Sequence, residues 1–533
     1  MPVNRQDKTF FLLFCLFLLL VFANSLFNGF TYDDHEGIEE SAFITSLRNL
    51  PRVFTRDYFK NTPEKSYRPV VTISYFLDHS IWGKRPFGYH LTNVILHLFS
   101  AILFYFFIGN FLEHKESRFV AALLFGLHPV VCEPVNAISF REDILAGMFV
   151  LAALNLFMLT GPRLKPLSLL HFIFAFLAYF SKESALPLLL VILCLMIVMK
   201  KEKGEDRSWT KEMPFLGLHL ALLLFYIVIR FWVLVPGPEG KTRILGGSAW
   251  AAVSHSGFLF QKAWGMFLVP WNLNADYVFW DIKGIATDWG FVGWLFALLY
   301  IAVLILSWRR NMRPGFFAAL WILLFFLPVS NILPLTNPFA ERYLYLSLMG
   351  FAFLGGMCYD HFRMKYEKSG VRSRSRNLKI AAGIYLLLLA IISIKRNEVW
   401  RSDQTLWRAT FRTEPRSIRA LNGVALESIW YKDYKKAEDL FRKALSLDPL
   451  DYEIRNNLAV VYIQTNRPSE AIVELEKAVA LKPDYAVAHY NLARLYLYKQ
   501  GKDKQKARMH LDMAIKYGYP VPSSFLEKVR KSE

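Results

Sequence analysis

Apolar residues in this chain come in long uninterrupted blocks. Residues 10–23, 91–111, 144–159, 167–180, 186–199, 215–235, 291–308, 316–328, 343–358 and 380–394 each run with few or no charges. A helix of about 20 residues, rising ~1.5 Å per residue, crosses ~30 Å of hydrocarbon, and the shorter runs reach that length with their polar flanks. The pattern predicts an all-α protein whose first part, residues 1–396, is a polytopic membrane bundle.

After residue 394 the pattern changes to charged and alanine-rich, and it repeats. Pro415, Pro449 and Pro483 lie 34 residues apart, and Ala425, Ala459 and Ala493 keep the same period. Ala444 pairs with Ala478, Tyr462 with Tyr496, and "NLAVVY" with "NLARLY". A period of about 34 with small and aromatic positions is the tetratricopeptide signature, a helix pair per unit. Residues 397–533 are therefore expected to form an α-solenoid of about three repeats. The third carries an insertion at "QGKDKQ" that moves its later alanines to Ala507 and Ala514, and the half-repeat "DQTLWRATFRTEP" joins the array to the last span. Such arrays offer a groove to peptides or partner proteins, with a plain structural cap as the alternative.

Composition agrees: 54% of residues are hydrophobic and 20% charged, too apolar for an ordinary soluble domain. Net charge +19 would suggest nucleic acid in a soluble protein, but the basic residues recur in particular loops, as the positive-inside rule requires. Arg5 and Lys8 precede the first span, Lys115 and Arg118 follow the second, and Arg163 and Lys165 follow the fourth. "KKEKGEDR", "RRNMRP" and "RMKYEKSGVRSRSRNLK" follow later ones. All can face one compartment if 236–288 is a single outer loop in which "HSGFLFQKAWGMFLVP" lies on the surface or re-enters. That gives eleven spans, the N-terminus inside and the C-terminus outside. The first span, with its loose "VFANS" cleavage-like site, reads as a retained anchor. The four cysteines at 15, 132, 194 and 358 have neither metal-type spacing nor a disulfide framework.

A charge at the bilayer centre costs about 2.5–3.5 kcal/mol, so where charges stand is informative. Asp33 and Asp34 of "TYDDHEGIEE" fall just beyond the first span, at the outer interface. Adjacent carboxylates diverge and suit separate roles; the plainer reading is an N-cap on a following short helix whose surface carries Glu36, Glu39 and Glu40. The other segments on the same face hold Arg68, Asp78, His79, His90 and His97; His128, Glu133, Arg141, Glu142 and Asp143; Lys182 and Glu183; and Glu341 and Arg342. For any single histidine a hydrogen-bonded packing role is the default, although His90 and His97 share a helical face. One outward face collecting carboxylates, arginines and a lysine reads as a reaction site.

In their order, "YDD", "YRPVVTISYFLDHSIWG", "PFGYHLTNVILHL", "FGLHPVVCEPVNAISFREDILA", "SKES" and "PVSNILPLTNPFAERYLYL", followed by the repeats, resemble the membrane-bound GT-C glycosyltransferases. They are most similar to the TMTC-type protein O-mannosyltransferases and their bacterial tetratricopeptide relatives. The array here is shorter than in the animal proteins, and "VCEPVNAISFRED" departs from the family in detail. The resemblance implies a polyprenyl-phosphate-linked sugar donor, with chemistry on the outer face and an acidic first-loop residue at the reaction centre. That residue maps onto Asp33 and Asp34. Asp33 is the expected base and Asp34 its orienting partner, with the reverse open. Arg141, Arg342, Lys182 and Arg68 are expected to hold the phosphate, and His90, Glu133, Asp143 and Glu341 to line the donor site.

A polyprenyl phosphate is a competent leaving group, so no cofactor is required; a divalent metal, magnesium or manganese, is compatible but no ligand cluster demands one. The acceptor is expected to be a polypeptide hydroxyl or a glycan, the polypeptide held by the repeat groove. A glycolipid or glycan ligase and a non-catalytic scaffold are the competing readings. A transporter would place charges within the spans, and most spans have none. The absence of any N-x-S/T sequon favours a bacterial inner membrane, with the repeats in the periplasm, over the endoplasmic reticulum.

Overall fold

The computed structural model describes residues 5–62, 66–202, 209–230, 249–279, 290–333, 335, 337–369, 372–498 and 503–530. Among them every regular element is helical. The chain divides into two compact units: 1–273 with 279–402, and 274–278 with 403–533. The division falls a few residues beyond the expected boundary at 396, because the last long helix of the first unit continues unbroken to Val399.

In the first unit the long helices are α1 (Arg5–Phe22), α2 (Pro69–Trp82), α3 (Pro86–Ile108), α4 (Lys115–Gly126) and α5 (Arg141–Thr160). There follow α6 (Ser168–Tyr179), α7 (Leu188–Glu202), α8 (Met213–Val228), α9 (Ala249–Leu268) and α10 (Gly290–Arg309). The unit ends with α11 (Arg313–Phe326), α12 (Tyr345–Lys368) and α13 (Arg372–Val399). Among the described residues six helices are long and apolar enough to cross a membrane. A seventh candidate is a broken pair, α4 with Pro129–Asn136, bent by 45°. The break has a local cause: Pro129 drives the preceding His128 to ψ 130°, out of the helical range. Three further apolar helices are shorter, so length and composition leave the count of eleven as an expectation.

Small residues let these helices approach closely. A Cβ on Gly356 of α12 would meet the Ala121 Cβ of α4 at 2.7 Å, and one on Gly293 of α10 would meet the Phe258 nitrogen of α9 at 2.3 Å. The second contact shows how α9 runs. Gly257 meets Gly293, Phe260 meets Phe296 and Tyr300, and Trp264 meets Tyr300, so partner numbers climb together and α9 lies parallel to α10. Leu259, Phe260, Ala263 and Phe267 are buried there. The apolar face of "HSGFLFQKAWGMFLVP" thus has a helix to pack on. The rest of the expected 236–288 loop falls largely outside the described residues, as do parts of "KKEKGEDR", "RMKYEKSGVRSRSRNLK" and the "QGKDKQ" insertion.

The second unit is α14 (Asp403–Thr413), then the pairs α15 (Ile418–Trp430) with α16 (Tyr434–Leu447), α17 (Tyr452–Gln464) with α18 (Pro468–Leu481), and α19 (Ala486–Tyr498) with α20 (Lys504–Lys516), closed by α21 (Ser523–Arg530). The period-34 alanines are the buried contacts: Ala425, Ala444, Ala459, Ala478 and Ala493 have no exposed surface. Ser417, Asp433, Asp451 and Asp503 cap helix starts through their side chains.

Candidate functional site

The first loop begins where α1 unwinds. Asp34 turns inward with 0% exposure, and Asp33 stays exposed. The expected N-cap does not form: Asp34 precedes the short helical turn His35–Glu39, yet its side chain bonds elsewhere. Its Oδ1 accepts the Ser139 backbone N–H at 2.7 Å, and its Oδ2 accepts that of Thr31 at 3.2 Å. Asp34 therefore ties the first loop to the start of α5. Burial pushes its carboxyl up to about 6, against the opposing effect of the Ser139 and Thr31 hydrogen bonds. Glu36 and Glu40 are exposed on the turn and Glu39 bonds His35 at 2.5 Å.

One helical turn beyond Ser139, about 5 Å along the axis, Glu142 opens an ion network. Arg68 pairs with Glu142, and with Glu183 at 3.1 Å. Lys182 lies 2.9 Å from Glu142 and 2.5 Å from Asp143, and Arg230 lies 2.7 Å from Glu183. A second pair of bridges adjoins it. Arg342 binds Glu133 through its guanidinium and, at 2.9 Å, through its backbone N–H, while Arg396 reaches Glu341 at 3.0 Å. Burial opposes the Arg342 charge, yet Glu133 alongside more than offsets it and holds the guanidinium above its ordinary range.

Phe140 joins these parts to the first loop. The Arg342 guanidinium carbon lies 3.7 Å from its ring centroid, and the Tyr32 ring meets it edge-on at 5.6 Å. The residue beside Asp33 is thus on the same aromatic contact as a phosphate-binding candidate.

The expected residues separate into three groups. Arg68, Asp143 and Lys182 are brought together, and so are Glu133, Glu341 and Arg342. Asp33 alone of the first-loop pair faces outward. Arg141 is placed differently from expectation. It has 0% exposure, and its guanidinium binds Asn93 Oδ1 at 2.6 Å, Ser74 Oγ at 3.0 Å, the Tyr89 carbonyl at 3.1 Å and Asp78 at 2.5 Å. With its donors occupied inside the bundle, it braces α2 and α3 against α5 and presents nothing to a phosphate. His90 is also interior, donating from Nε2 to the Gly29 carbonyl at 3.3 Å. His97 donates from Nε2 to the Gly126 carbonyl at 3.0 Å and accepts from the Tyr345 hydroxyl on Nδ1 at 2.9 Å, a packing role like that of His90.

Sequence reasoning missed Arg230 and Arg396. Arg396 follows a long apolar run, where a basic residue reads as an ordinary interface anchor, and Arg230 lies inside the apolar run 215–235 as its single charge. It also missed the asparagines behind the first loop. Asn28 donates to Asn136 at 2.9 Å, Asn136 donates to Asn397 at 2.8 Å, and the Gly29 N–H bonds the Arg401 carbonyl at 3.0 Å. Among the described residues no three of His, Cys, Asp and Glu gather as a metal-ligand set.

Comparison with known proteins follows the same division. Family models described as tetratricopeptide repeat and TPR repeat match residues 431–477 and 461–501. A protein O-mannosyl-transferase of Caenorhabditis elegans, F38B6.6, is 26% identical over 81% of this chain and 61% of its own length. The protein O-mannosyl-transferases TMTC3 of Mus musculus and Homo sapiens are each 26% identical over 89% of this chain and 55% of theirs. The chain thus spans little more than half the length of these curated relatives. Homologues of this chain over most of its length are TMTC-type protein O-mannosyltransferases, and its C-terminal unit carries tetratricopeptide repeats.

Proposed function

We propose that this protein is a membrane glycosyltransferase that moves a mannosyl group from a polyprenyl-phosphate donor to a serine or threonine hydroxyl of an acceptor protein, at the outer membrane face. The observation that carries the reading is the division of labour in the first loop: Asp34 is buried and clamped by two backbone donors, and Asp33 beside it is exposed. A base must reach its substrate while its backbone stays fixed, and Asp34 supplies the fixing. The relatives, named as protein O-mannosyl-transferases, support the reaction class.

In the proposed step the Asp33 carboxylate takes the proton of the acceptor hydroxyl as that oxygen attacks the anomeric carbon. The bond from that carbon to the phosphate oxygen breaks, the electron pair leaves with the polyprenyl phosphate, and the configuration inverts. General-base help of this kind is worth about 10²–10⁴-fold, and fixed cations stabilise the charge growing on the departing phosphate. Arg68, Lys182 and Arg342 remain the proposed cations, with the repeats presenting the acceptor polypeptide. The missing N-x-S/T sequon supports a bacterial inner membrane over the endoplasmic reticulum in this reading.

The test is transfer of mannose from a synthetic polyprenyl-phosphate mannose to serine/threonine peptides by the full chain in nanodiscs. Asp33→Asn is expected to lower turnover by about 10²–10⁴-fold while leaving the melting curve in place. Full turnover in that variant removes Asp33 as the base. Absence of transfer by the unaltered chain removes the function.

A further inference from the structure

Exposure rises along the ion network in a definite order. Side chains of Asp143, Lys182 and Glu142 are 2%, 5% and 6% exposed; those of Arg230, Arg68 and Glu183 are 13%, 17% and 24%. The outermost member is thus an anion, and it bridges two guanidiniums. Glu183 Oε2 accepts from Arg68 Nη2 at 3.1 Å, and its Oε1 lies 2.7 Å from Arg230 Nη2. Neither guanidinium depends on Glu183 alone for its place. Glu142 holds Arg68 from the interior side, and Arg230 Nη2 also donates to Ser66 Oγ at 2.8 Å.

The charges balance. Arg68, Lys182 and Arg230 face Glu142, Asp143 and Glu183, so the cluster as it stands has no net positive charge to offer a phosphate. An added anion would sit uncompensated in a poorly solvated site, which is costly. An anion that replaces one already there adds no net charge. A phosphodiester carries one negative charge, as does a carboxylate, and two guanidiniums grip either with paired N–H donors.

We propose that Glu183 is a displaceable occupant of a phosphate site built by Arg68 and Arg230. The donor's phosphodiester takes the place of the carboxylate between the two guanidiniums, and the Glu183 side chain, the most exposed of the six, swings outward. After transfer its return competes with the polyprenyl phosphate and speeds product release. The inference rests on the proposed donor class. It assigns Arg230 to the site and makes Glu183 a positioning residue whose effect is on binding and release.

The experiment measures binding of polyprenyl phosphate, with polyprenol as the uncharged control, to the full chain in nanodiscs. Glu183→Gln keeps an oxygen for the guanidiniums and removes the competing charge. It is expected to bind polyprenyl phosphate about tenfold tighter, with polyprenol unchanged. In turnover it should lower KM and kcat together, a split that a merely structural residue would not produce. Arg230→Gln is expected to weaken phosphate binding about tenfold. Unchanged or weaker binding by Glu183→Gln overturns the inference while leaving the donor class standing. If that variant does not fold, Arg230→Gln decides: tenfold weaker binding supports the phosphate site, and unchanged binding overturns it. If the unaltered chain prefers polyprenyl phosphate no more than polyprenol, the inference and the donor class fall together.

Discussion

Replacing Asp34 by asparagine separates the two first-loop carboxylates by a measurement that does not depend on turnover. The Asp34 carboxyl is raised from an ordinary 3.8 to about 6 because burial disfavours its ionised form. Below that range folded and unfolded chains both carry the proton; between about 4 and 6 the unfolded chain gives it up first. The folded state there binds more protons than the unfolded state, so stability falls as pH rises through this window and then levels off. At about 1.4 kcal/mol per pH unit, the loss amounts to about 3 kcal/mol. Asparagine does not ionise, so its variant lacks this slope. It does turn an amide NH₂ toward either the Ser139 or the Thr31 N–H, and one unsatisfied backbone donor costs about 1–3 kcal/mol. Relative to the unaltered chain, Asp34→Asn should therefore be less stable near pH ~4 and gain about 3 kcal/mol on it by pH ~7. Tryptophan-fluorescence unfolding of both proteins across this range reads the difference directly. A difference that is flat or falls with pH would refute the buried-anchor reasoning.

Two further outcomes follow from burial. Arg141→Ala leaves the Asp78 carboxylate and the acceptors around it without their cation, and should destabilise the membrane unit by about 3–5 kcal/mol; size-exclusion profiles of the detergent-solubilised protein should show aggregate, whereas a phosphate ligand would leave folding intact and weaken donor binding only. In the repeats, His510 Nδ1 lies 3.0 Å from His489 Nδ1, and the His489 Nε2 donates to the Pro483 carbonyl at 3.0 Å. Burial first, then His489, lowers the His510 imidazole to about 4. The folded form thus resists protonation, and stability present above pH ~6.5 is lost as pH falls toward ~4. Hydrogen exchange over α19 and α20 should accelerate in that window, and His510→Gln should remove the effect.

The chain's periodicities determined a great deal by themselves. A 34-residue repeat of alanines requires small side chains wherever two helices meet, and those alanines are buried as the spacing implied. Long apolar runs can be satisfied only by helices packed on helices or on lipid, so the all-α class was legible too. The gathering of Arg68, Asp143 and Lys182 was expected from loops read as sharing one face, and ion pairs through Glu142 and Lys182 join them. Tertiary structure decided which charge serves what. Arg141 and Arg68 look alike along the chain, but one is enclosed by Asp78, Asn93, Ser74 and Tyr89, and the other reaches the partly exposed Glu183. Asp33 and Asp34 are neighbours that differ only in the way the backbone turns, with Tyr32 at φ 58° setting that turn. Arg342 and Glu133 are 209 positions apart and meet only once the bundle has closed. Helical and repeat periods are local and survive in one dimension; burial and ion pairing depend on what lies opposite in space, which a linear pattern does not record.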